Sequence, residues 1–416
     1  MKRILLILPS TTYRTHDFME AASRLGVQIV VGSDHRHSWD SLVPDTTVAL
    51  DFRHPENIPP VIREFARRNP LDAVLGVDDL SVYIAAHTAH ALELPHNPIE
   101  AVGAARNKLR MREKMAAAGL NTPAFRGFSI QVDPADVAER VRYPCVVKPL
   151  FLSASRGVVR ADTPEQFVQA VTAVQALLAD PEVRRKSYGD EAEYFLVEEY
   201  IPAAAEVAVE GLLIDREFKP LAIFDKPDPL EGPHFVETIY VTPSRLPGYV
   251  QREVIHAAHR AALALGLITG PVHAEVRVNE KGAWVVEIAA RSIGGLCSRV
   301  LRFDEGMSLE ELILRQALGE DVRSIQRERR AAGVMMLPIP REGVLEKVEG
   351  LEAAQLIPGV SNVIITIPPG EKVIPMPRGG RYLGFIFARA ETPEAVEAAL
   401  REAYAKLHVV VLTHNE

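Results

Sequence analysis

The chain has 416 residues, of which 47% are hydrophobic and 25% charged, and it carries a net charge of −8 at neutral pH. We predict a soluble globular protein of two to four domains, because a single core of ordinary size does not accommodate a chain this long. The acidic balance argues against a nucleic-acid surface, which needs clustered Lys and Arg. No run of 18 or more apolar residues occurs, which excludes a membrane span.

The cysteines and the first residues bear on the cellular compartment. Cys145 and Cys297 predict free thiols in a reducing cytoplasm, because one isolated disulfide is rare in a chain of this length. The apolar start at residues 4–8 is shorter than the apolar core of a signal peptide, and it ends at Pro9. We therefore interpret it as the first buried strand.

Strands and helices alternate through the first quarter of the chain. We predict strands at 4–8, 28–31 and 73–76, with helices at 18–25 and 60–68. This alternation predicts a Rossmann-like domain over residues 1–105, with helices on the faces of a parallel sheet. No GxGxxG motif occurs, so nothing here indicates a dinucleotide site. Asp78 and Asp79 follow a strand's carboxyl end, where such sheets bind ligands, but a polar turn explains them equally well.

Two further regions are predicted, at 106–325 and 326–416. The first begins with the basic helical segment RNKLRMREKMAAAGL and contains strands at 145–148, 195–201, 206–213 and 222–225, a Pro-rich loop at 225–234, and helices at 164–179, 251–265 and around 308–319. Thr163 is expected to cap the helix that follows it. The last region mixes strands at 333–337, 360–367 and 382–388 with a final helix that starts after Thr392.

The segments VHAEVRVN and AWVVEIAAR are predicted to form a β-hairpin around residues 280–282. A three-residue loop that ends in Gly is favoured, because Gly supplies the left-handed residue of a bulge. Counting outward from this loop gives three pairs, Asn279 with Ala283, Glu275 with Glu287, and His273 with Ala289. The two glutamates then share one face, with Cβ atoms roughly 4.5 to 5.5 Å apart.

This glutamate pair predicts a cation. Two carboxylates so placed repel each other by about 3 kcal/mol at an effective dielectric constant near 20. A divalent cation reverses the sign, and carboxylate oxygens without a Cys or His cluster suit Mg²⁺. Arg291 lies on the same face as Glu287, and its guanidinium fork fits a carboxylate or phosphate beside the metal. A solvated hairpin with two surface glutamates is the alternative at this point.

Given these residues, the sequence resembles the ATP-grasp superfamily of ATP-dependent ligases over nearly its whole length. The superfamily's second acidic strand ends in a motif like ExNxR, which reads Glu287-Ile288-Ala289-Ala290-Arg291 here. The resemblance implies an α/β and α+β fold with a parallel-sheet pre-ATP-grasp domain, a two-lobed ATP-grasp domain and a C-terminal α+β domain. It also implies ATP with Mg²⁺ or Mn²⁺, bound by Glu275 and Glu287. Because Ala289 replaces the usual Asn, one contact is missing, and His273 or a water is expected to fill the gap.

The resemblance also assigns a nucleotide site to strand ends and loops. Its residues are Lys108 and Lys148 for the phosphates, Ser155 in the phosphate loop FLSASRGVV, Glu198, Glu199 and Ile201 in the adenine hinge FLVEEYI, and Glu206 at the ribose. Backbone N–H groups and small hydroxyls of such a loop approach phosphates. Without the resemblance, Lys148 reads as an exposed strand end and the acidic residues as a solvated edge strand.

Within the superfamily, the segments GVLEKVEG and RYLGFIFARAETPEAVEAAL resemble the amino-acid ligase and carnosine-synthase-like group. Glu237 matches an acidic residue that faces the substrate's amino group. Tyr240 stands where many relatives have His, which predicts a different substrate. Arg291, Gly294 and Gly295 are expected to hold the substrate carboxylate, with Arg291, Lys148 and Glu287 as catalytic residues. Cys297 is expected to be structural.

The implied reaction joins a carboxylate to an amine through an acyl phosphate, releasing ADP and phosphate. The resemblance implies a cytoplasmic enzyme, a homodimer, that acts on amino acids and has no nucleic-acid or membrane partner. Two alternatives stay open on the sequence. One is a carboxylase-type relative that uses bicarbonate, and the other is a noncatalytic nucleotide-binding protein, which Ala289 makes conceivable.

Overall fold

The computed structural model describes residues 1–9, 12, 14–35 and 45–413. These residues form four β-sheets with helices packed against them, as expected for a mixed α/β and α+β chain. None of the helices in these ranges is long and apolar enough to cross a membrane. Both cysteine thiols are free and buried.

The N-terminal part contains the predicted parallel sheet, with the strand order β3-β2-β1-β4. Its elements are β1 (Arg3–Ile7), α1 (Thr15–Leu25), β2 (Gln28–Ser33), β3 (Thr47–Ala49), α2 (Ile58–Arg68), β4 (Ala73–Gly76), α3 (Asp79–Ala91) and α4 (Ile99–Arg106). The sequence analysis did not predict α3, because its buried residues lie on several sides and leave no clear polar face. Asp78 caps α3 by accepting from the backbone N–H of Ser81 at 2.8 Å.

The next part is built on an antiparallel sheet with the order β5-β8-β6-β7. Its elements are α5 (Lys108–Ala117), β5 (Phe125–Ser129), α6 (Pro134–Ala138), β6 (Cys145–Pro149), β7 (Val159–Ala161), α7 (Pro164–Ala179), α8 (Pro181–Arg184) and β8 (Tyr194–Glu199). Thr163 caps α7 as predicted, since its side chain accepts from the backbone N–H of Gln166. The two strands are antiparallel, so the end of β6 lies next to the first half of β8, where Lys148 pairs with Leu196.

An eight-stranded antiparallel sheet follows, with the order β13-β12-β9-β10-β11-β14-β18-β16. The remaining elements are β9 (Ala205–Ile214), β10 (Glu217–Asp225), β11 (Ile239–Thr242), α9 (Gly248–Leu265), β12 (Gly270–Asn279), β13 (Gly282–Ala289), α10 (Leu309–Ala317), β14 (Ala331–Leu337), β15 (Gly343–Glu349), α11 (Leu351–Gln355), β16 (Val360–Ile365), β17 (Lys372–Val373), β18 (Gly384–Ala390), α12 (Pro393–Tyr404) and β19 (His408–Leu412). A small sheet, β17-β15-β19, lies beside it.

This large sheet runs across the boundary that the sequence predicted near residue 326. Strand β14 pairs with β11 on one side and with β18 on the other. One hydrophobic cluster also combines Leu6, Phe224 and Phe385, which come from the three predicted regions. The regions are therefore packed around shared apolar surface, and their side chains meet in a common cleft.

Candidate active site

The hairpin of β12 and β13 brings two glutamates together. Glu275 pairs with Glu287, and His273 pairs with Ala289, which confirms the predicted pairs at this end. The predicted loop is wrong, because Asn279 pairs with Gly282 rather than with Ala283. The turn is one residue shorter than predicted, and a bulge at Val286 restores the register, since Val285 pairs with Val276 and Glu287 with Glu275.

A buried arginine holds this bulge in place. Arg112, which is 1% exposed, donates to the carbonyls of Val285 at 2.9 Å and Val286 at 2.7 Å. The same guanidinium binds Glu198 through Nε at 2.6 Å and Nη2 at 3.3 Å. Arg112 thereby connects the end of β8 with the bulge that directs Glu287 into the cleft.

The cleft has a positively charged side, which we call the cationic wall. It consists of Lys108 and Lys148, which line the cleft, and of Arg112, which is fully buried and contacts Glu198. Lys148 Nζ lies 2.6 Å from Glu198 Oε2, and Lys108 Nζ lies 3.3 Å from Glu287 Oε1. Burial raises the pKa of Glu198, but the charges of Arg112 and Lys148 outweigh burial and bring this pKa to about 2. Burial lowers the pKa of Lys148, and Glu198 offsets this only in part. One carboxylate thus serves two buried cations, which leaves a surplus of positive charge.

A second group of charged residues in the cleft, which we call the acidic wall, has the reverse imbalance. It consists of Glu206, Glu237, Glu275 and Glu287. Lys226 Nζ lies among them, 2.5 Å from Glu237, 3.0 Å from Glu206 and 3.6 Å from Glu275. Tyr240 also donates its hydroxyl to Glu237, at 2.6 Å. Oxygens of Glu206, Glu237 and Glu275 lie within 4.8 Å of one another, close enough for one cation.

The protonation of Glu275 reflects this surplus of negative charge. Burial raises its pKa, Lys226 lowers it, and the charges of Glu237, Glu287 and Glu206 raise it again, to about 8. Burial lowers the pKa of Lys226, but the surrounding carboxylates outweigh burial and raise it well above its ordinary value. The acidic wall therefore sets two cations, Lys226 and Arg277, whose Nε lies 3.1 Å from Glu206 Oε2, against four carboxylates, and it favours further positive charge.

These donors fit a divalent metal of the Mg²⁺ type. Glu275 and Glu287 lie opposite each other, line the same cavities and are partly exposed to them. Carboxylate oxygens are the ligands that Mg²⁺ prefers. His273 stands across from Ala289, with Nδ1 3.1 Å from Glu210 Oε2 and Nε2 3.9 Å from Glu275 Oε1.

The segment after β13 forms the end of the cleft. Arg291 binds Asp79 through two hydrogen bonds, from Nε at 3.0 Å and from Nη2 at 2.8 Å. Burial lowers the pKa of Arg291, but the charge of Asp79 outweighs burial, so the guanidinium is charged. Gly294 and Gly295 follow and line the same cavity. Gly295 has a φ of +60°, a conformation that favours glycine.

All residues that the sequence analysis selected line two adjoining cavities of about 230 and 70 Å³. The larger holds Ser155, Glu237, Tyr240, Glu275, Glu287, Arg291, Gly294 and Gly295. The smaller holds Lys108, Lys148, Ser155, Glu198, Glu199, Ile201, Glu206, Glu237, Glu275 and Glu287. Because four residues are common to both, the cavities form one cleft between the two walls.

Sequence reasoning missed Lys226 and the pairing of Asp79 with Arg291. Lys226 had a signal, because it comes one residue after the apolar run LAIF, much as Lys148 follows CVV. Asp79 was noted only as a residue after a strand, and its partner is 212 positions away. A contact between residues so distant in sequence leaves no local pattern.

The comparisons with known proteins agree with this geometry. The ATP-grasp N-terminal domain family matches residues 19–96, the ATP-grasp domain family matches 141–300, and the L-amino acid ligase C-terminal domain 2 family matches 335–412. The crystal structure of an L-amino acid ligase from Bacillus licheniformis has a TM-score of 0.84 and 28% identity, with 99% of each chain covered.

Two further relatives differ in what they support. The alanine–anticapsin ligase of Bacillus subtilis is 26% identical over 290 residues, which cover 64% of this chain and 60% of the ligase. A carboxyaminoimidazole ribonucleotide synthase from Aspergillus clavatus has a TM-score of 0.70 and 18% identity, with 97% of this chain and 98% of the synthase covered. At that identity the likeness concerns the fold alone.

Proposed function

This chain belongs to the ATP-grasp superfamily, and we propose that it is an ATP-dependent ligase that joins two amino acids or close analogues through an amide bond. One observation carries the proposal. A cationic wall and an acidic wall line one cleft and meet where Lys108 contacts Glu287, and Arg291 and two glycines line the same cleft. Phosphates suit the first wall, a divalent metal suits the second, and a carboxylate suits the end.

We assign the nucleotide to the smaller cavity and the substrates to the larger. Lys108 and Lys148 would bind the phosphates, with Ser155 contributing its hydroxyl at the junction of the cavities. The adenine would lie near Glu199 and Ile201. Mg²⁺ or Mn²⁺, held by Glu275 and Glu287, would neutralise phosphate charge when bound. Phosphoryl transfer depends mainly on such positioning and charge neutralisation.

The reaction has two steps. An oxygen of the substrate carboxylate attacks the γ-phosphorus of ATP, the bond to the β-phosphate oxygen breaks, and ADP leaves. The nitrogen of a neutral amine then attacks the acyl carbon, the bond from that carbon to the phosphate oxygen breaks, and an amide forms while the proton lost by the nitrogen leaves with inorganic phosphate. Arg291 and the N–H groups of Gly294 and Gly295 would hold the carboxylate during the first step.

Other residues of the larger cavity indicate which kind of substrate it would bind. Glu237 would face an ammonium group, with Tyr240 orienting it through the hydrogen bond already described. Met336, Tyr382 and Phe385 form an apolar side of the cavity, which favours an amino acid with an apolar side chain. A homodimeric assembly and a cytoplasmic location stay predictions of the sequence.

A screen for phosphate release with pairs of amino acids, followed by mass analysis of the products, tests the proposal. We expect ADP, phosphate and a product that has lost one water relative to the two substrates. ATP consumption that requires bicarbonate and no amine would contradict it, as would ATP binding without turnover for every pair. The carboxylase alternative is supported only by likeness of fold at 18% identity.

A further inference from the structure

The pairing of Asp79 with Arg291 joins the N-terminal sheet to the substrate end of the cleft. Asp79 is the first residue of α3, directly after the residue that caps this helix. Its carboxylate and the guanidinium of Arg291 line the larger cavity, and both are mostly buried, with 19% and 11% of their side chains exposed. A fork of two short charge-assisted hydrogen bonds fixes orientation as well as distance.

Asp79 binds one edge of the Arg291 guanidinium. Which edge it binds determines which N–H groups are left to bind a ligand. Asp79 takes the side-on edge, formed by Nε and Nη2. The carbonyl of Ser292 accepts one hydrogen from Nη1 at 3.0 Å. A guanidinium has five N–H donors, so two of them, one on each terminal nitrogen, have no partner among the residues that the structure describes. An anion in the cavity can be held by these two donors while Asp79 stays in place.

The backbone around Arg291 is held by contacts that do not involve Asp79. Arg14 donates to the hydroxyl of Ser292 and to the carbonyl of Ile293, both at 2.8 Å. Glu210 accepts from the backbone N–H of Ile293 at 3.0 and 3.1 Å. Removing the charge of Asp79 therefore releases the guanidinium but not the loop that carries it.

The charge state of Asp79 is the one that an ion pair with Arg291 requires. Burial raises the pKa of Asp79, but the charge and hydrogen bonds of Arg291 outweigh burial and the pKa is lowered. The carboxylate is ionised at neutral pH, so that its contact with Arg291 is an ion pair with a fixed geometry.

We propose that Asp79 is a positioning residue for the acid substrate. It holds the guanidinium of Arg291 so that the remaining terminal N–H groups face the cavity and receive the substrate carboxylate. The N-terminal sheet thereby completes the site in which the acyl phosphate forms. This inference rests on the proposed ligase function, because it assigns the two free donors to the carboxylate that is phosphorylated.

A matched pair elsewhere in the chain supplies the control. Arg299 binds Asp17 through the same edge, with Nε at 2.9 Å and Nη2 at 2.7 Å. Asp17 belongs to α1 and, like Asp79, joins the N-terminal part to the segment after β13. It lines a different cavity, so Asp17→Asn removes an equivalent ion pair outside the cleft.

The experiment compares Asp79→Asn, Asp79→Glu and Asp17→Asn with the wild type, using steady-state kinetics for each substrate and thermal unfolding. For Asp79→Asn we expect the KM of the acid substrate to rise roughly tenfold to a hundredfold, because a charge-assisted contact is lost. The KM values of ATP and the amine should change less than about threefold. Asp79→Glu should recover part of the loss, and Asp17→Asn should behave as the wild type.

Two results would overturn the inference. An unchanged or lowered KM of the acid substrate in Asp79→Asn would mean that Asp79 is idle or competes with the substrate for Arg291. A parallel change of all KM values with a lower melting temperature would mean a structural role only. Failure of the ligase proposal is distinct, because the wild type itself would then form no amide.

Discussion

The cationic wall and the acidic wall carry surplus charge of opposite sign, and each contains buried counter-charge of the other sign. In the first, Glu198 is the single carboxylate that lies between Arg112 and Lys148. In the second, Lys226 lies among three carboxylates. The first wall has one internal counter-charge and the second has two, Lys226 and Arg277, yet each leaves a surplus, and burying surplus charge destabilises the fold unless a ligand neutralises it. Under the proposed function, the phosphates of ATP and a divalent metal would neutralise these two imbalances.

The largest expected effect comes from the acidic wall. Glu287→Gln removes one of two opposed carboxylates and should lower Mg·ATP turnover on the order of a thousandfold, since metal-based charge stabilisation supplies several kcal/mol. Turnover is measured by ADP release at saturating substrates. Glu280→Gln, at the exposed turn of the same hairpin, is the control and should be silent. Normal turnover in Glu287→Gln would refute the assignment of the acidic wall.

The ion pairs of Glu198 in the cationic wall should make the free energy of unfolding depend on pH in the acid range. Glu198 has a pKa of about 2, below the ordinary value of about 4.3, so its contribution is present above pH 4.3 and is lost as the pH falls through 2. The shift corresponds to about 3 kcal/mol. The difference in unfolding free energy between wild type and Glu198→Gln should therefore shrink between pH 5 and pH 3 in urea titrations.

An exposed glutamate serves as the control for this pH dependence. Glu139→Gln, on the surface after α6, should show a difference that is small at every pH. If Glu198→Gln does not fold, titration of the Glu198 carboxyl by NMR in the wild type answers the same question. A carboxyl that titrates at an ordinary pH would show that the two buried cations do not act on Glu198.

The affinity for ATP tests whether the surplus positive charge of the cationic wall binds phosphate. Lys148→Ala should weaken ATP binding roughly tenfold to a hundredfold, because a charge-assisted contact to phosphate is lost. Arg112 stays on Glu198 in this variant, so that the carboxylate keeps a partner. Calorimetry with a nonhydrolysable ATP analogue is the measurement, and Lys114→Ala on the exposed side of α5 is the control. Equal affinities for the variant and the wild type would remove Lys148 from the nucleotide site.

Local sequence patterns were sufficient for most of the elements and for the pairs at the end of the hairpin. The predicted pairing of Glu275 with Glu287 was correct although the predicted loop was wrong. The turn is one residue shorter than predicted and the bulge at Val286 adds one residue, so the two differences cancel in the register. Sequence alone gives no account of that bulge, since Arg112 holds its carbonyls from a distance of more than 170 positions. The pairing of Asp79 with Arg291 was missed for the same reason, since the partners are 212 positions apart, whereas Lys226 had a local signal that the sequence analysis did not use.

The smallest expected effect concerns the one departure from the ExNxR motif. Ala289 is buried, lines the larger cavity and faces His273, so an amide at this position would add a neutral oxygen to the acidic wall without changing its charge. Ala289→Asn should lower the Mg²⁺ concentration for half-maximal turnover about threefold, because metal affinity increases with the number of oxygen ligands. Ala289→Leu has similar bulk without the oxygen and should give no such gain. If both variants require the same Mg²⁺ concentration, the acidic wall already completes its metal site without residue 289, and the alanine is a neutral replacement.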